Sequence, residues 1–189
     1  SSPAVRRSWF TGNEAEGGGA IALVDSGGEI ARSAFVGNTC GNDGGSAVHA
    51  VGSPAQIEAC TFAGNTTDVP SGALFLEDGS DCEVTSSILW GNSPDQITSY
   101  GSTPAITSSD VQGGAAGAGN LDADPLFVDL EGGDVSLAAG SPCIDAANGS
   151  AAPEPDLAGQ SLVDDPDAQN AGTGFPPYAD MGALEHQPE

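Results

Sequence analysis

Lysine is absent from this chain, and its only side chains of fixed positive charge are Arg6, Arg7 and Arg32. Against them stand 27 Asp and Glu, for a formal net charge of -24. Such a surface repels nucleic acid and anionic lipid, which are both recognised through Lys and Arg, so neither is an expected partner. It suits high salt, where screening removes self-repulsion, or divalent cations that pair with carboxylates, and the missing lysine points to a salt-adapted source. Long apolar runs are also missing: none approaches the ~20 residues of a membrane span, so membrane insertion is not expected. No C-x-x-C links the four cysteines, Cys40, Cys60, Cys82 and Cys143, which argues against zinc; in an exported protein one or two disulfides are open to them, in any of three pairings. No segment carries the 3.6-residue apolar period of a substantial helix. Yet only 16% of residues are charged and 38% are hydrophobic, which separates the chain from a disordered acidic tail.

What is there is repetition. Ile57 to Asn65 reads I-E-A-C-T-F-A-G-N, and the phrase returns as Ile30 to Asn38, as a clipped Val5 to Asn13, as Val84 to Asn92 and, decayed, as Ile106 to Gly114. Aligning the large apolar residue gives a column of Phe10, Phe35, Phe62, Leu89 and Val111. Three residues later stand Asn13, Asn38, Asn65 and Asn92, and two residues earlier the small Ser8, Ser33, Cys60, Ser87 and Ser109. Between copies lie a second extended segment, such as Gly45 to Val51 or Gly72 to Leu76, and Gly/Pro turns. Three short strands per turn of about 25 residues is the ration of a parallel β-helix, whose coils stack at the ~4.8 Å strand spacing and align equivalent side chains in columns. The expected fold is therefore all-β, a single-domain right-handed parallel β-helix of about five to seven coils. The Phe column should stack inside, with the small residue beside it fitting a narrow lumen. The asparagines should form a structural ladder at a turn, with left-handed backbone and coil-to-coil amide bonds. Cys60, sharing its column with serines, reads as a small packing residue.

The F-x-G-N and G-G-A-I phrases of residues 1–114 resemble the repeats of bacterial polymorphic outer-membrane proteins and related right-handed β-helix surface proteins. Downstream, N-L-D-A-D-P-L-F from Asn120, then S-L-A-A-G-S-P-C-I-D ending at Asp145, then D-M-G-A-L-E ending at Glu185 resemble the C-terminal region of bacterial β-helix proteins of the choice-of-anchor Q type. The resemblance implies a bacterial extracellular or outer-surface protein in which residues 115–189 supply the last coils and an irregular acidic cap to the β-helix of residues 1–114. The chain opens inside a repeat, as a mature product or an excised piece would. Physics asks for a cap as well, since an open solenoid end exposes unpaired backbone and lumen; Leu126, Phe127, Val128, Leu137, Ile144 and Leu184 are candidates for late rungs or a lid. Residues 148–177 read as a long irregular loop, either packed along the helix or free of it.

Candidate chemistry is sparse. Residues 115–189 hold 14 of the 27 acidic residues and no Arg, and two groups stand out: Asp122, Asp124 and Asp129, and Asp164, Asp165 and Asp167 with Asp156 before them. Hard carboxylates with nearby carbonyls suit Ca²⁺, although no EF-hand loop and no tandem G-G-x-G-x-D repeat is present; Asp122, Asp124 and Asp145 also read as turn caps. Trp90, which follows the inward Leu89 and so should point outward, and Tyr100 are candidates for stacking on sugar rings. Arg7, Arg32 and Glu58 are expected to lie close on successive coils as an ion-pair patch. His49 reads as a surface or packing residue rather than a base, and Asn65-Thr-Thr and Asn148-Gly-Ser match glycosylation acceptors. The function this supports is a non-enzymatic cell-surface module for adhesion or contact with carbohydrate or another surface protein, with Ca²⁺ stabilising the C-terminal loops. The alternative is a Ca²⁺-dependent polysaccharide lyase or glycoside hydrolase, which needs a base beside a cation or a carboxylate pair in one groove; no convincing pair is legible.

Overall fold

The structure, a computed structural model, describes residues 2–42 and 44–188. The chain winds through β1 (Ala4–Arg6), β2 (Trp9–Thr11), β3 (Glu14–Ala15) and β4 (Ile21–Val24), and repeats the circuit as β5 (Gly28–Ala31), β6 (Ala34–Val36), β7 (Thr39–Cys40) and β8 (Val48–Val51). A third circuit is β9 (Ala55–Glu58), β10 (Thr61–Ala63), β11 (Thr66–Thr67) and β12 (Gly72–Glu77). The fourth runs through β13 (Glu83–Thr85), β14 (Ile88–Trp90) and β15 (Asp95–Tyr100), and β16 (Ala105–Thr107) with β17 (Asp110–Val111) begins another. Equivalent strands pair in parallel, giving sheet 1 (β1, β5, β9, β13, β16), sheet 2 (β2, β6, β10, β14, β17), sheet 3 (β3, β7, β11) and sheet 4 (β4, β8, β12, β15). This is a parallel β-solenoid of about four turns, with four strand positions per full turn rather than three. The count falls below the expected five to seven because the chain leaves the solenoid after β17.

Registers follow the columns read from the sequence. Phe10, Phe35 and Phe62 are Cα partners in sheet 2, continued by Leu89 and Val111. The three rings stack at 4.8 and 4.7 Å, within 5° of parallel. Val5, Ile30, Ile57, Val84 and Ile106 line the lumen from sheet 1, and Ile21, Val48, Leu74 and Ile97 from sheet 4. Because strand side chains alternate, these residues face inward together, and full burial of each large apolar side chain contributes roughly 1.5–3 kcal/mol.

Corners repeat as strictly as strands. Arg7, Arg32, Ala59, Ser86 and Ser108 take positive φ between sheets 1 and 2, and Gly12, Gly37, Gly64 and Gly91 do so after sheet 2. The expected left-handed residue is thus the glycine before each asparagine; no asparagine of the ladder has positive φ. Freed from that duty, Asn38 accepts from the backbone N–H and Nδ2 of Asn13 through Oδ1, and donates from its own Nδ2 to Phe10 O and to Asn65 Oδ1. Asn65 and Asn92 repeat the pattern. Two more ladders run parallel to it. The Ser33, Ser87 and Ser109 hydroxyls each donate to the carbonyl two residues back, a bond Cys60 Sγ imitates at 3.3 Å. Ser53, Ser80 and Ser102 hydroxyls each accept the N–H of Ser26, Ser53 and Ser80 one coil earlier. The G-G pairs before sheet 4 are steric: a Cβ on Gly45 would collide with the carbonyls of Val48 and Ala73.

Residues beyond β17 form the irregular C-terminal region. Its first part covers the lumen end: Ala115 packs on the core, and Asn120 closes the serine ladder by accepting from Ser109 N–H and donating to Ile106 O. The rest, with the antiparallel hairpin β18 (Phe127–Asp129) and β19 (Asp134–Leu137) and a short 3-10 turn (Gly149–Ala151), lies along the outer face of sheet 2. That face is apolar from the second coil onward: Ala34, Val36, Thr61, Ala63 and Ile88 point outward yet are buried. Of the residues expected to form rungs or a lid, Leu137 and Ile144 are buried and Phe127 and Leu184 pack at the edge, while Leu126 and Val128 are exposed. Among the described residues no helix is long and apolar enough to cross a membrane.

Candidate functional site

Two places on the solenoid gather side chains beyond the needs of the core. The first is the outer face of sheet 4. Alternation turns Ala22, His49, Phe75 and Thr98 outward in one row and Val24, Val51, Glu77 and Tyr100 in the next. His49 Nε2 lies 2.8 Å from Glu77 Oε2, and its ring packs at 5.0 Å on Phe75. Phe75 meets Tyr100 edge-on at 5.6 Å. Phe75 is thereby buried on the outside of the barrel, while Tyr100 remains 55% exposed beside its register partner Glu77. The result is a patch with one open aromatic ring beside a carboxylate, which is itself bonded to an imidazole on the strand beyond.

The second is the seam between the solenoid and the C-terminal region. Arg32, at a left-handed corner, is 1% exposed; its Nε donates to Pro153 O at 2.9 Å and its Nη1 to Gly182 O at 3.1 Å. Its Nη2 lies 3.7 Å from Glu185 Oε2 and has no hydrogen-bond partner. The Ser86 hydroxyl donates to Asn148 O and accepts its N–H. Asp180 accepts from the N–H groups of Asp145 and His186, Asp156 from those of Gln160 and Glu185, and Asp145 from that of Asp165. Five carboxylates thus surround Arg32 and His186, and burial pushes Glu185 up to about 8, Asp180 to about 7 and Asp145 to about 6. Desolvation also lowers Arg32 from its ordinary value, so the Arg32–Glu185 contact joins two groups that both resist charging inside.

The six aspartates singled out for calcium are spread over several turns, with Asp164, Asp165 and Asp167 sharing one. Asp122 Oδ1 accepts from Gly113 N–H, Asp124 Oδ1 from Leu126 N–H, Asp129 Oδ1 from Gly132 N–H and Asp165 Oδ1 from Asp167 N–H. Asp164 lies near Asp145. Among the described residues no three His, Cys, Asp or Glu side chains are grouped to hold a metal ion. Trp90 and Tyr100 sit on different sheets: Trp90 does point outward, but into the C-terminal region, where it is half-buried beside Ile88 and Leu137. Tyr100 alone of the two is open.

The expected Arg7–Arg32–Glu58 patch does not form, because Arg32 turns into the seam; it is Arg6, not the corner residue Arg7, that shares a register row with Glu58, and it pairs with Glu29 at 2.6 Å. All four cysteines are buried and none is joined to another in a disulfide; Cys143 Sγ donates to Asp110 Oδ2 at 3.2 Å. Asn65 is fully enclosed in its ladder and closed to glycosylation, and Asn148 caps the 3-10 turn. The sequence reading missed the Ser26–Ser53–Ser80–Ser102 ladder, although its spacings of 27, 27 and 22 match those of the later Phe column. It also missed Glu77 as the partner of His49, a pairing visible only once β8 and β12 are in register. Compared with protein-family models, curated proteins and solved structures, the chain matches none of them.

Proposed function

We propose that the chain is a non-enzymatic bacterial surface module, of the kind its repeats and C-terminal motifs resemble, that holds neutral carbohydrate against the outer face of sheet 4. The observation that carries this is Tyr100, an open ring on a Phe75 base with Glu77 alongside and His49 bonded to Glu77 one strand further on. A sugar's C–H face stacks on such a ring, and its hydroxyls donate to the carboxylate. The charge of -24 with no lysine disfavours polyanionic glycans, so the ligand class is a neutral one. Retention on immobilised neutral polysaccharides measures it. Tyr100→Ala should cut retention at least tenfold while Trp90→Phe, beneath the C-terminal region, leaves it unchanged; equal retention of wild type and Tyr100→Ala contradicts the reading.

The lyase or hydrolase alternative has one observation on its side, the outward His49–Glu77 pair at 2.8 Å. Against it, two of the three arginines that lyase chemistry could use are taken up, Arg32 by burial and Arg6 by Glu29, which leaves Arg7 exposed at its corner. Unsaturated ends released from polyuronate test the lyase and new reducing ends released from polysaccharide test the hydrolase: wild-type turnover lost in Glu77→Gln would replace the binding module with an enzyme. Calcium enters the proposal as a bridge between carboxylates of neighbouring acidic turns. A melting temperature higher in Ca²⁺ than in EDTA at matched ionic strength supports it, and identical melting removes it.

A further inference from the structure

The outward row that ends at Tyr100 continues along the solenoid axis through its register partners Glu77, Val51 and Val24. The registers hold from β4 to β15 without a shift, so the row runs straight across three strand spacings, ~14 Å. Its two ends are its open parts: Val24 is 62% exposed and Tyr100 55%, with Val51 and Glu77 half-buried between them. Along one side runs the left-handed corner of Asp25, Gly52, Asp78 and Gly101. Asp25 and Asp78 are exposed, and Asp25 Oδ1 leans over Gly52, where a Cβ would meet it at 3.0 Å. Carboxylate acceptors therefore border the row at its first and third coils, while apolar surface lines it at the first, second and fourth.

A ligand that grows from Tyr100 along the strands finds little. On β15 the next outward side chain after Thr98 is Gln96, already bonded to Asn92 through both ends of its amide. On β12, Phe75 behind Glu77 is buried. Growth across the strands meets Glu77 and Asp78, then Val51, then Val24 with Asp25. That alternation suits a sugar chain, whose C–H faces lie on apolar surface and whose hydroxyls donate to carboxylates. Three strand spacings match roughly three or four linked rings, and a straight row favours an extended linkage over a curled one. We propose that sheet 4 holds an extended, unbranched neutral oligosaccharide along the solenoid axis, with one end ring on Tyr100 and the other on Val24 beside Asp25. The proposal rests on the reading of Tyr100 as a sugar platform and adds the ligand's length, linkage and direction.

Cello- and manno-oligosaccharides form extended chains and malto-oligosaccharides curled ones, so calorimetry over the three series reads both length and linkage. In an extended series the tetrasaccharide should bind at least tenfold more tightly than the disaccharide, with no further gain at the hexasaccharide. The malto series should show no such rise. Val24→Ser, at an exposed position, should weaken the tetrasaccharide at least threefold and leave the disaccharide unchanged, which also shows that the variant is folded. Tyr100→Ala should weaken both. Equal affinity for disaccharide and tetrasaccharide, with Tyr100→Ala still weakening both, overturns the axial site and leaves the Tyr100 platform standing. A Val24→Ser loss shared by the disaccharide, an equal rise in the malto series, or no binding in either extended series overturns it as well. Binding that Tyr100→Ala leaves untouched removes the platform, and the axial site with it.

Discussion

At the residue scale, side chains are placed by what the backbone leaves unpaired. Each ladder asparagine satisfies groups that the glycine corner before it opens, and Asn65 does so with none of its surface exposed. Asn65→Ala leaves the Asn38 N–H without its acceptor and removes one bond each from Asn38 Nδ2, the Phe35 carbonyl and Asn92 Oδ1, although Asn38 Nδ2 keeps Phe10 O and Asn92 Oδ1 keeps the residue 65 N–H. At about 1–3 kcal/mol per buried group left unpaired, partly relieved by relaxation, urea unfolding should report a loss of roughly 3 kcal/mol. Asn13→Ala, on the open first coil, should lose about 1 kcal/mol or less. Equal losses at the two positions would contradict the ladder as a source of stability. The Phe and Asn columns were legible because one residue type recurs at a fixed spacing. The corner before sheet 2 was not, since Arg7, Arg32, Ala59, Ser86 and Ser108 share a backbone conformation and no chemistry.

At the scale of elements, the C-terminal region behaves as a clasp laid over sheet 2. Its outer apolar row, Ala34, Val36, Ala63 and Ile88, was on the page as sequence, but its cover lies far downstream in the Gly182–Ala183 contacts to Ser86 and Thr61, the second of them across 122 residues. The motifs S-P-C-I-D and D-M-G-A-L-E prove to be that cover: Ser141 ties to Pro125, Met181 to Cys143, and Asp180 to Asp145. The clasp is pH-sensitive in a definite direction. Glu185, Asp180 and Asp145 titrate near 8, 7 and 6 when docked and near 4 when released, so the docked state holds the extra protons. Their contribution is complete below about pH 4 and is lost as pH rises through 6 to 8. Hydrogen exchange at Ala147 and Met181, whose N–H groups bond within the clasp, should be slower at pH 5 than at pH 8 after correction for intrinsic rates. The opposite order would show that the carboxylates are docked ionised.

At the scale of the whole molecule, a solenoid contacts only its neighbours along the axis, so its stability sums over coils and the seam with the clasp. The charge of -24 acts against all of them through self-repulsion that salt screens. Thermal unfolding should therefore shift upward between about 0.05 and 1 M NaCl, spanning Debye lengths from well above 10 Å to ~3 Å. A flat response would mean that the carboxylates are locally neutralised. With sheet 2 covered from its second coil onward, sheet 4 is left as the long face that carries an open ring next to hydrogen-bonding groups. The most direct measurement of the central claim is hydrogen exchange with and without a saturating neutral oligosaccharide selected by retention. The account predicts protection gained in residues 75–77 and 98–100 and little change in the clasp. Protection gained elsewhere, with sheet 4 unchanged while the sugar is bound, would contradict it.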